Sequence, residues 1–306
     1  MRWAISLPQF VDDGRFDPAS FRRYVKRAEE LGFESAWTQE GVLGRASLVS
    51  PIELMTYAAA CTERLRLGCV VFVTTLHQPV HLAKSLSSLD QLSRGRIEIG
   101  VGTGGRARPF SAFGVDPEAG LVTRFNEGLQ LMKMLWTERE VSFDGRFWQL
   151  DGEAMEPKPF QKPYPPLWFG GNAPAALRRA VEHGDGFFGA GSSTTAAFRD
   201  QVSIVREELA RRDRQSTTFP IAKRVYIAVD DDVDRARTRV AAGLVRIYGD
   251  YGRQLEPVAI AGPPDACIEG LRDVAAAGAD MIMVNTLFEQ TEQMERLAAD
   301  VMPHVS

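Results

Sequence analysis

One junction recurs along this chain and narrows what it can fold into. Leu31-Gly32-Phe33-Glu34-Ser35-Ala36-Trp37, His183-Gly184-Asp185-Gly186-Phe187-Phe188 and Ala277-Gly278-Ala279-Asp280-Met281-Ile282 each read as a helix end, a glycine, then a short buried strand. The apolar residues of these strands are consecutive rather than alternating, so both sheet faces are covered, which indicates a parallel sheet wrapped by helices. Strands of this kind are expected at 3–7, 35–38, 67–73, 97–101, 167–169, 187–189, 222–229 and 281–284. Helix starts fall between them. Asp17-Pro18 places a capping carboxylate before a proline at the first helical position, and Ser50-Pro51-Ile52-Glu53 reads as a capping box. Pro79 opens a further helix that ends at Arg94-Gly95.

About eight strand–helix units fit the length, which points to an α/β fold of the (β/α)8 TIM-barrel type, a single domain over residues 1–306. An open doubly wound sheet is the alternative. The stretch from Thr137 to Pro163 lacks regular periodicity beyond an aromatic segment, Phe143 to Leu150, and reads as an insertion after the fourth unit, with further insertions in later strand-to-helix loops.

Composition matters mainly for what it excludes. The 306 residues carry 36 Lys and Arg against 40 Asp and Glu, a net charge of −4 with both signs mixed, so nucleic acid and anionic membrane are poor partners. No apolar run approaches the ~20 residues of a membrane helix, and a cytoplasmic location is expected. Cys61, Cys69 and Cys267 are odd in number and widely spaced, which argues against a disulfide framework or a thiolate metal site.

In a parallel barrel the chemistry gathers where strands end at their C-terminal edge. The residues there are Gln9 and Phe10, Gln39 and Glu40, Thr74 to His77, Gly102 to Gly105, and Gly170-Gly171-Asn172. Glu40 is the carboxylate directly beyond a buried strand end, a candidate acid, base or anchor, or else a solvated loop glutamate. His77 either faces the mouth or is an exposed loop histidine. Its spacing to His81 lacks the glutamate of H-E-x-x-H, so no metal is expected. His183 reads as a helix-end cation, and Arg124 with Glu127 as a surface pair. Gly100 to Gly105 satisfies G-x-G-x-x-G, but it follows the fourth strand and leads into no helical pattern, so a dinucleotide site is rejected. Gly170-Gly171-Asn172 precedes a helix directly, and there it is either an anion cradle or a cap at Asn172.

Several segments, in order, resemble the luciferase-like monooxygenase superfamily: Gly32 to Trp37, the run Leu89-Asp90-Gln91-Leu92-Ser93-Arg94-Gly95-Arg96-Ile97, Gly100-Val101-Gly102, Leu167-Trp168-Phe169-Gly170-Gly171, and Gly184-Asp185-Gly186. The resemblance implies a TIM barrel, a homodimer, a small-molecule substrate, and either FMN or the deazaflavin coenzyme F-420 at the mouth. Trp168 to Asn172 followed by Ala176 to Ala180, and Phe143-Asp144-Gly145-Arg146-Phe147, look more like the deazaflavin branch. The function it implies is an F-420-dependent oxidoreductase that transfers a hydride to or from a small organic substrate. An FMN-dependent monooxygenase and a non-catalytic flavin-binding protein are the alternatives.

By the same resemblance, a cis non-prolyl bond at Cys69-Val70 backs the ring, Gly104, Gly105, Gly170, Gly171 and Asn172 hold the phosphate and its chain, and Arg106 and Arg108 meet an anionic tail. Glu40 orients the ring, Glu40 or His77 supplies protons, and Gln9, Trp37 and Thr38 line the substrate cavity. The family's sugar-phosphate dehydrogenases carry an acid–histidine pair after strand two and a glutamate in the glycine loop. Here Gly41 and Gly105 stand at the histidine and loop-glutamate positions.

Overall fold

The structure, a computed structural model, describes residues 1–11, 14–44, 46–105 and 109–305. Its helices start where the local chemistry dictates. Helix α1 (Pro18–Glu30) is capped by the Asp17 carboxylate, which accepts from the amides of Ala19 and Ser20. Helix α2 (Pro51–Cys61) begins at the expected proline, but Ser50 gives its hydroxyl to the Glu53 carboxylate instead of accepting from the backbone, so the reciprocal capping box does not form.

Eight parallel strands close into a barrel. They are β1 (Arg2–Ser6), β2 (Ser35–Thr38), β3 (Arg66–Val73), β4 (Ile97–Gly102), β7 (Leu167–Gly170), β8 (Gly186–Gly189), β9 (Ile221–Val229) and β11 (Met281–Asn285). The order around the barrel is β11-β1-β2-β3-β4-β7-β8-β9, and β9 pairs with β11 to close it. The expected strands are therefore the barrel strands. Helices α3 (Pro79–Ser93), α4 (Leu121–Thr137), α5 (Pro174–His183), α6 (Thr195–Arg211), α7 (Val233–Tyr248), α8 (Pro264–Ala276) and α9 (Gln290–Arg296) complete the alternation.

Two pieces depart from the simple repeat. The insertion after α4 contains an antiparallel hairpin, β5 (Val141–Asp144) with β6 (Gln149–Glu153). Strand β9 outgrows the barrel: Ala222–Tyr226 pair with β11, while Ile227–Val229 pair with a short extra strand, β10 (Ile260–Gly262). That extra strand is not visible as an apolar run, because it is three residues long and ends in glycine.

The core has two main shells. One lies between strands and helices and includes Ile5, Leu67, Phe169, Val225 and Ile227. The other fills the barrel with Ala4, Trp37, Trp168, Phe188, Ala222, Met281 and Met283. Inside the barrel three rings meet edge to face, Trp37 with Phe188 at 4.9 Å and with Trp168 at 5.9 Å. Gly68 makes room for them, since a Cβ there would stand 2.3 Å from the Trp37 ring. Below the rings the buried Glu98 takes an ion pair from Arg66 and a hydrogen bond from the Trp168 indole (2.6 Å).

Candidate active site

Strand β3 is irregular where it reaches the mouth. Cys69 pairs with Ile99 and Phe72 with Val101, so Val70 and Val71 together face the single residue Gly100. This is a β-bulge, one extra residue that turns the local chain out of the ladder. Its fit depends on glycine: a Cβ on Gly100 would lie 2.2 Å from the Cys69 carbonyl oxygen, and Cβ atoms on Gly102 and Gly170 would come within 2.8 and 2.9 Å of the Val71 methyls. The cis non-prolyl bond among the described residues is Val70-Val71, one residue beyond the expected Cys69-Val70. Cys69 itself points away from the mouth into the outer core, where burial, reinforced by the nearby Glu40 carboxylate, pushes its thiol pKa well up. Val70 and Val71 are the partly exposed residues of the bulge.

Beside the bulge lies Glu40, buried to 8% exposure. Its Oε2 accepts from the amide of Val73 at the end of β3 (2.6 Å), and its Oε1 lies 2.7 Å from His77 Nε2. The acid–histidine pair that Gly41 denies to the loop after β2 is thus assembled across two loops, with the histidine supplied from after β3. His77 is partly exposed, so the pair joins solvent to a buried carboxylate.

The other expected residues divide. Gln9, Trp37 and Thr38 all line a narrow cleft at the ends of β1, β2, β9 and β11. Gln9 is a brace, because its amide donates to the carbonyls of Gln39 and Val49 (2.7 Å each) and accepts from the Gln39 amide (2.9 Å). Trp37 forms the floor. Gly104 and Gly105 stand at the open edge, and a Cβ on Gly105 would meet nothing within 4 Å. Gly171 is instead packed against α5, where a Cβ would lie 2.8 Å from that of Ala176. Asn172 is not the helix cap, which is Ala173; its Oδ1 accepts from Gln201 (3.2 Å) and Ser193 (3.4 Å) near the start of α6. Arg106 and Arg108 lie outside the described residues.

Two side readings change. Arg124 and Glu127 are not a pair: Arg124 donates to the Thr75 carbonyl (3.1 Å) and lies over the Trp148 ring, while Glu127 accepts from the amides of Arg146 and Phe147. Burial lowers the His183 pKa, so it is a poor helix-end cation, and Lys133 donates to its carbonyl. His81 is exposed, and no group of metal-ligating side chains occurs among the described residues.

Sequence reading missed the wall opposite the bulge. Arg224, on β9, lines the cleft and donates from Nη2 to Gln39 Oε1 (2.8 Å). Asn285, the last residue of β11, lies beside it. The signal was present as Lys223-Arg224, two cations inside a strand that is otherwise apolar and buried on both faces.

The model of the luciferase-like monooxygenase family matches residues 1–281. The chain belongs to that family. Among curated relatives, an uncharacterised protein of Mycobacterium tuberculosis is 39% identical over 53% of this chain and 63% of its own length. An uncharacterised protein of Sinorhizobium fredii is 32% identical over 53% of this chain, and the match spans 46% of that protein. The F-420-dependent glucose-6-phosphate dehydrogenase of Kineococcus radiotolerans is 28% identical over 72% of this chain and 67% of its own length.

Solved structures with the same fold include the coenzyme F-420-dependent tetrahydromethanopterin reductase of Methanopyrus kandleri (TM-score 0.82, 22% identity, 100% of this chain and 99% of that one). A Baeyer-Villiger monooxygenase constituent from Pseudomonas putida, in complex with FMN, has a TM-score of 0.80 at 16% identity, over 100% of this chain and 99% of that one. At these identities the likeness is one of fold. Of these proteins, the dehydrogenase and the reductase are named for F-420, and the monooxygenase constituent is bound to FMN. No described helix is long and apolar enough to cross a membrane.

Proposed function

We propose that this protein is a coenzyme F-420-dependent oxidoreductase that passes a hydride between the deazaflavin and a small organic substrate, a carbonyl compound or an activated double bond. The observation that carries this reading is the Glu40–His77 pair, a proton-handling couple set beside a bulged, glycine-flanked wall. The preference for F-420 over FMN is supported by the dehydrogenase of Kineococcus radiotolerans, which matches across most of this chain.

The residues present suit such a group. Val70 and Val71 offer an apolar backing for a flat ring, and the open edge at Gly104 and Gly105 leaves space for a chain to run outward. Gly170, Gly171 and Asn172, at the start of α5, would hold the phosphate. When bound, the deazaflavin supplies or accepts the hydride.

The chain's own part is proton handling and positioning. Glu40 is fixed through Oε2 by the Val73 amide, which leaves Oε1 to share a proton with His77 Nε2. When a carbonyl substrate gains a hydride, its oxygen needs a proton, and this pair is the ionisable source at the mouth with a route to solvent. In the reverse direction it takes the proton from an alcohol. Trp37 and Thr38 form the floor against which the substrate rests.

Fluorescence titration with F-420 and with FMN tests the cofactor, and at least tenfold tighter binding of F-420 is expected. Tighter binding of FMN would overturn that assignment. Stopped-flow oxidation of reduced F-420 by substrate tests the pair. Glu40→Gln and His77→Ala should keep cofactor affinity within a few-fold and slow oxidation by about 100-fold or more. Parental rates in both would remove the pair from catalysis.

A further inference from the structure

The barrel order sets β9 diametrically opposite β3, four strands away in a ring of eight. Arg224 therefore faces the bulge across the mouth. We infer that Arg224 binds the carboxylate of a small organic anion, which makes carboxylate-bearing molecules the substrate class; this rests on the oxidoreductase reading above.

The first reason is the charge left on this arginine. Arg224 is only 8% exposed, yet among the described residues it has no carboxylate partner. Arg66, Arg235 and Arg296 are each paired with an acid. Arg96, which has none, is held instead by the carbonyls of Ala59, Leu65 and Ser93 and by the Thr62 hydroxyl. Arg224 has neither kind of complete shell. Its Nη2 donates to Gln39, and its guanidinium lies 4.9 Å from the Tyr226 ring. With the Asn285 amide turned so that its nitrogen donates to Ser6 Oγ (2.9 Å), the Asn285 oxygen accepts from Arg224 Nε (2.8 Å) and Nη2 (2.5 Å). These partners are neutral amides that aim the group without cancelling its charge. Nη1 makes no hydrogen bond among the described residues and remains for a ligand. A desolvated cation left without a counter-charge is costly, and an anionic ligand relieves that cost.

The second reason is the character of the cleft. No acidic side chain lines it among the described residues, so a carboxylate meets no like charge. Glu40, the nearest acid in sequence, is already engaged by Val73 and His77. The free space in it is small, about 20 Å³, which admits a carboxylate head group while the rest of the ligand stays in the open mouth. A ligand held there by its carboxylate lies between Arg224 and the bulge wall, on the side where a ring backed by Val70 and Val71 presents its free face.

Isothermal titration of the cofactor-free protein with small carboxylates (oxamate, benzoate and crotonate) and with the neutral amides of the same acids tests the inference. At least one carboxylate should bind tenfold or more tightly than its amide. Arg224→Lys, which keeps the charge but loses the fork, should weaken that binding about tenfold; Arg224→Met should abolish the preference and leave amide binding unchanged. Circular dichroism and the F-420 titration confirm that each variant is folded and its cofactor site intact. Equal binding of acid and amide, no binding of any of the three acids, or parental preference in a folded Arg224→Met would overturn it. Because the readout needs no cofactor, its failure is separate from a failure of the F-420 titration.

Discussion

Lys223 shows how much one residue can owe to its surroundings. It lies next to Arg224 on β9, but its side chain leaves the barrel and donates to the carbonyls of Ala190 and Ser193, the latter at 2.9 Å, fastening the loop before α6. Burial, and secondarily Arg224, bring its pKa down from 10.5 to about 7. In the unfolded chain the amine keeps its proton up to its ordinary pKa. Between pH 7 and 10.5 the unfolded state therefore binds more protons, and stability rises with pH across that window; the penalty is complete below pH 7. Each pH unit inside the window corresponds to ~1.4 kcal/mol at most. Urea unfolding at pH 7.0 and 9.0 should show the parent gaining about 2 kcal/mol more than Lys223→Met over that interval. Equal gains would mean that the amine titrates normally. Cys267, whose pKa burial pushes up to about 12, acts with opposite sign above pH 9 but is common to both proteins.

At the scale of elements, the recurrent glycine junction has two physical causes under one pattern. Gly32 and Gly278 adopt positive φ (85° and 107°), which suits glycine best. Gly184 does not, and a Cβ there would strike the Phe169 ring at 2.6 Å. The pattern therefore located the strands without revealing why each glycine was needed. The bulge of β3 was harder to read, because it is a register offset against β4, and register depends on a neighbour that the local run of Leu67 to Val73 does not contain. Glu40 and His77 were legible as strand-end residues, but their pairing, 37 positions apart, was not. Arg224 was concealed by being inside a strand rather than beyond one.

Leu89 to Ile97, one of the segments that carry the family resemblance, is structural. Asp90 is buried and accepts from the backbone and side-chain amides of Gln161 (2.8 Å each), tying the insertion to α3, and Arg96 collects carbonyls from α2 and beyond. The bulge gives the element-scale prediction. Gly100→Ala forces a methyl group against the Cys69 carbonyl, so β3 must shift, at a cost of ~1–3 kcal/mol. Chemical denaturation should show that loss together with weaker cofactor binding. Parental stability would mean that the bulge relaxes freely.

The whole molecule divides its labour between the two sides of the barrel mouth. The β3, β4 and β7 side supplies the bulge and glycines, the β9, β11, β1 and β2 side supplies Arg224 and the amides, and Glu40 with His77 lies between them. A cofactor held along the first side stabilises the entire cooperative unit, because it binds the native state and not the unfolded chain. At a free concentration 100 times its Kd the gain is about 2.7 kcal/mol. For a chain of 306 residues the unfolding entropy is ~0.6 kcal/mol per kelvin, so Tm should rise by about 4 °C. Gly105→Val separates this linkage from stability itself. The position opens to solvent and its Cβ meets nothing, so ligand-free Tm should stay within about 1 °C of the parent, since substitutions at such sites usually lie within ~0.5 kcal/mol. Gly171→Val would not serve, because it collides with Ala176 whether or not a ligand binds. With the valine side chain in the open edge, the same F-420 concentration should raise Tm by less than half as much. Differential scanning fluorimetry with and without F-420 measures both quantities, and an undiminished rise in Gly105→Val would move the cofactor chain away from the loop after β4.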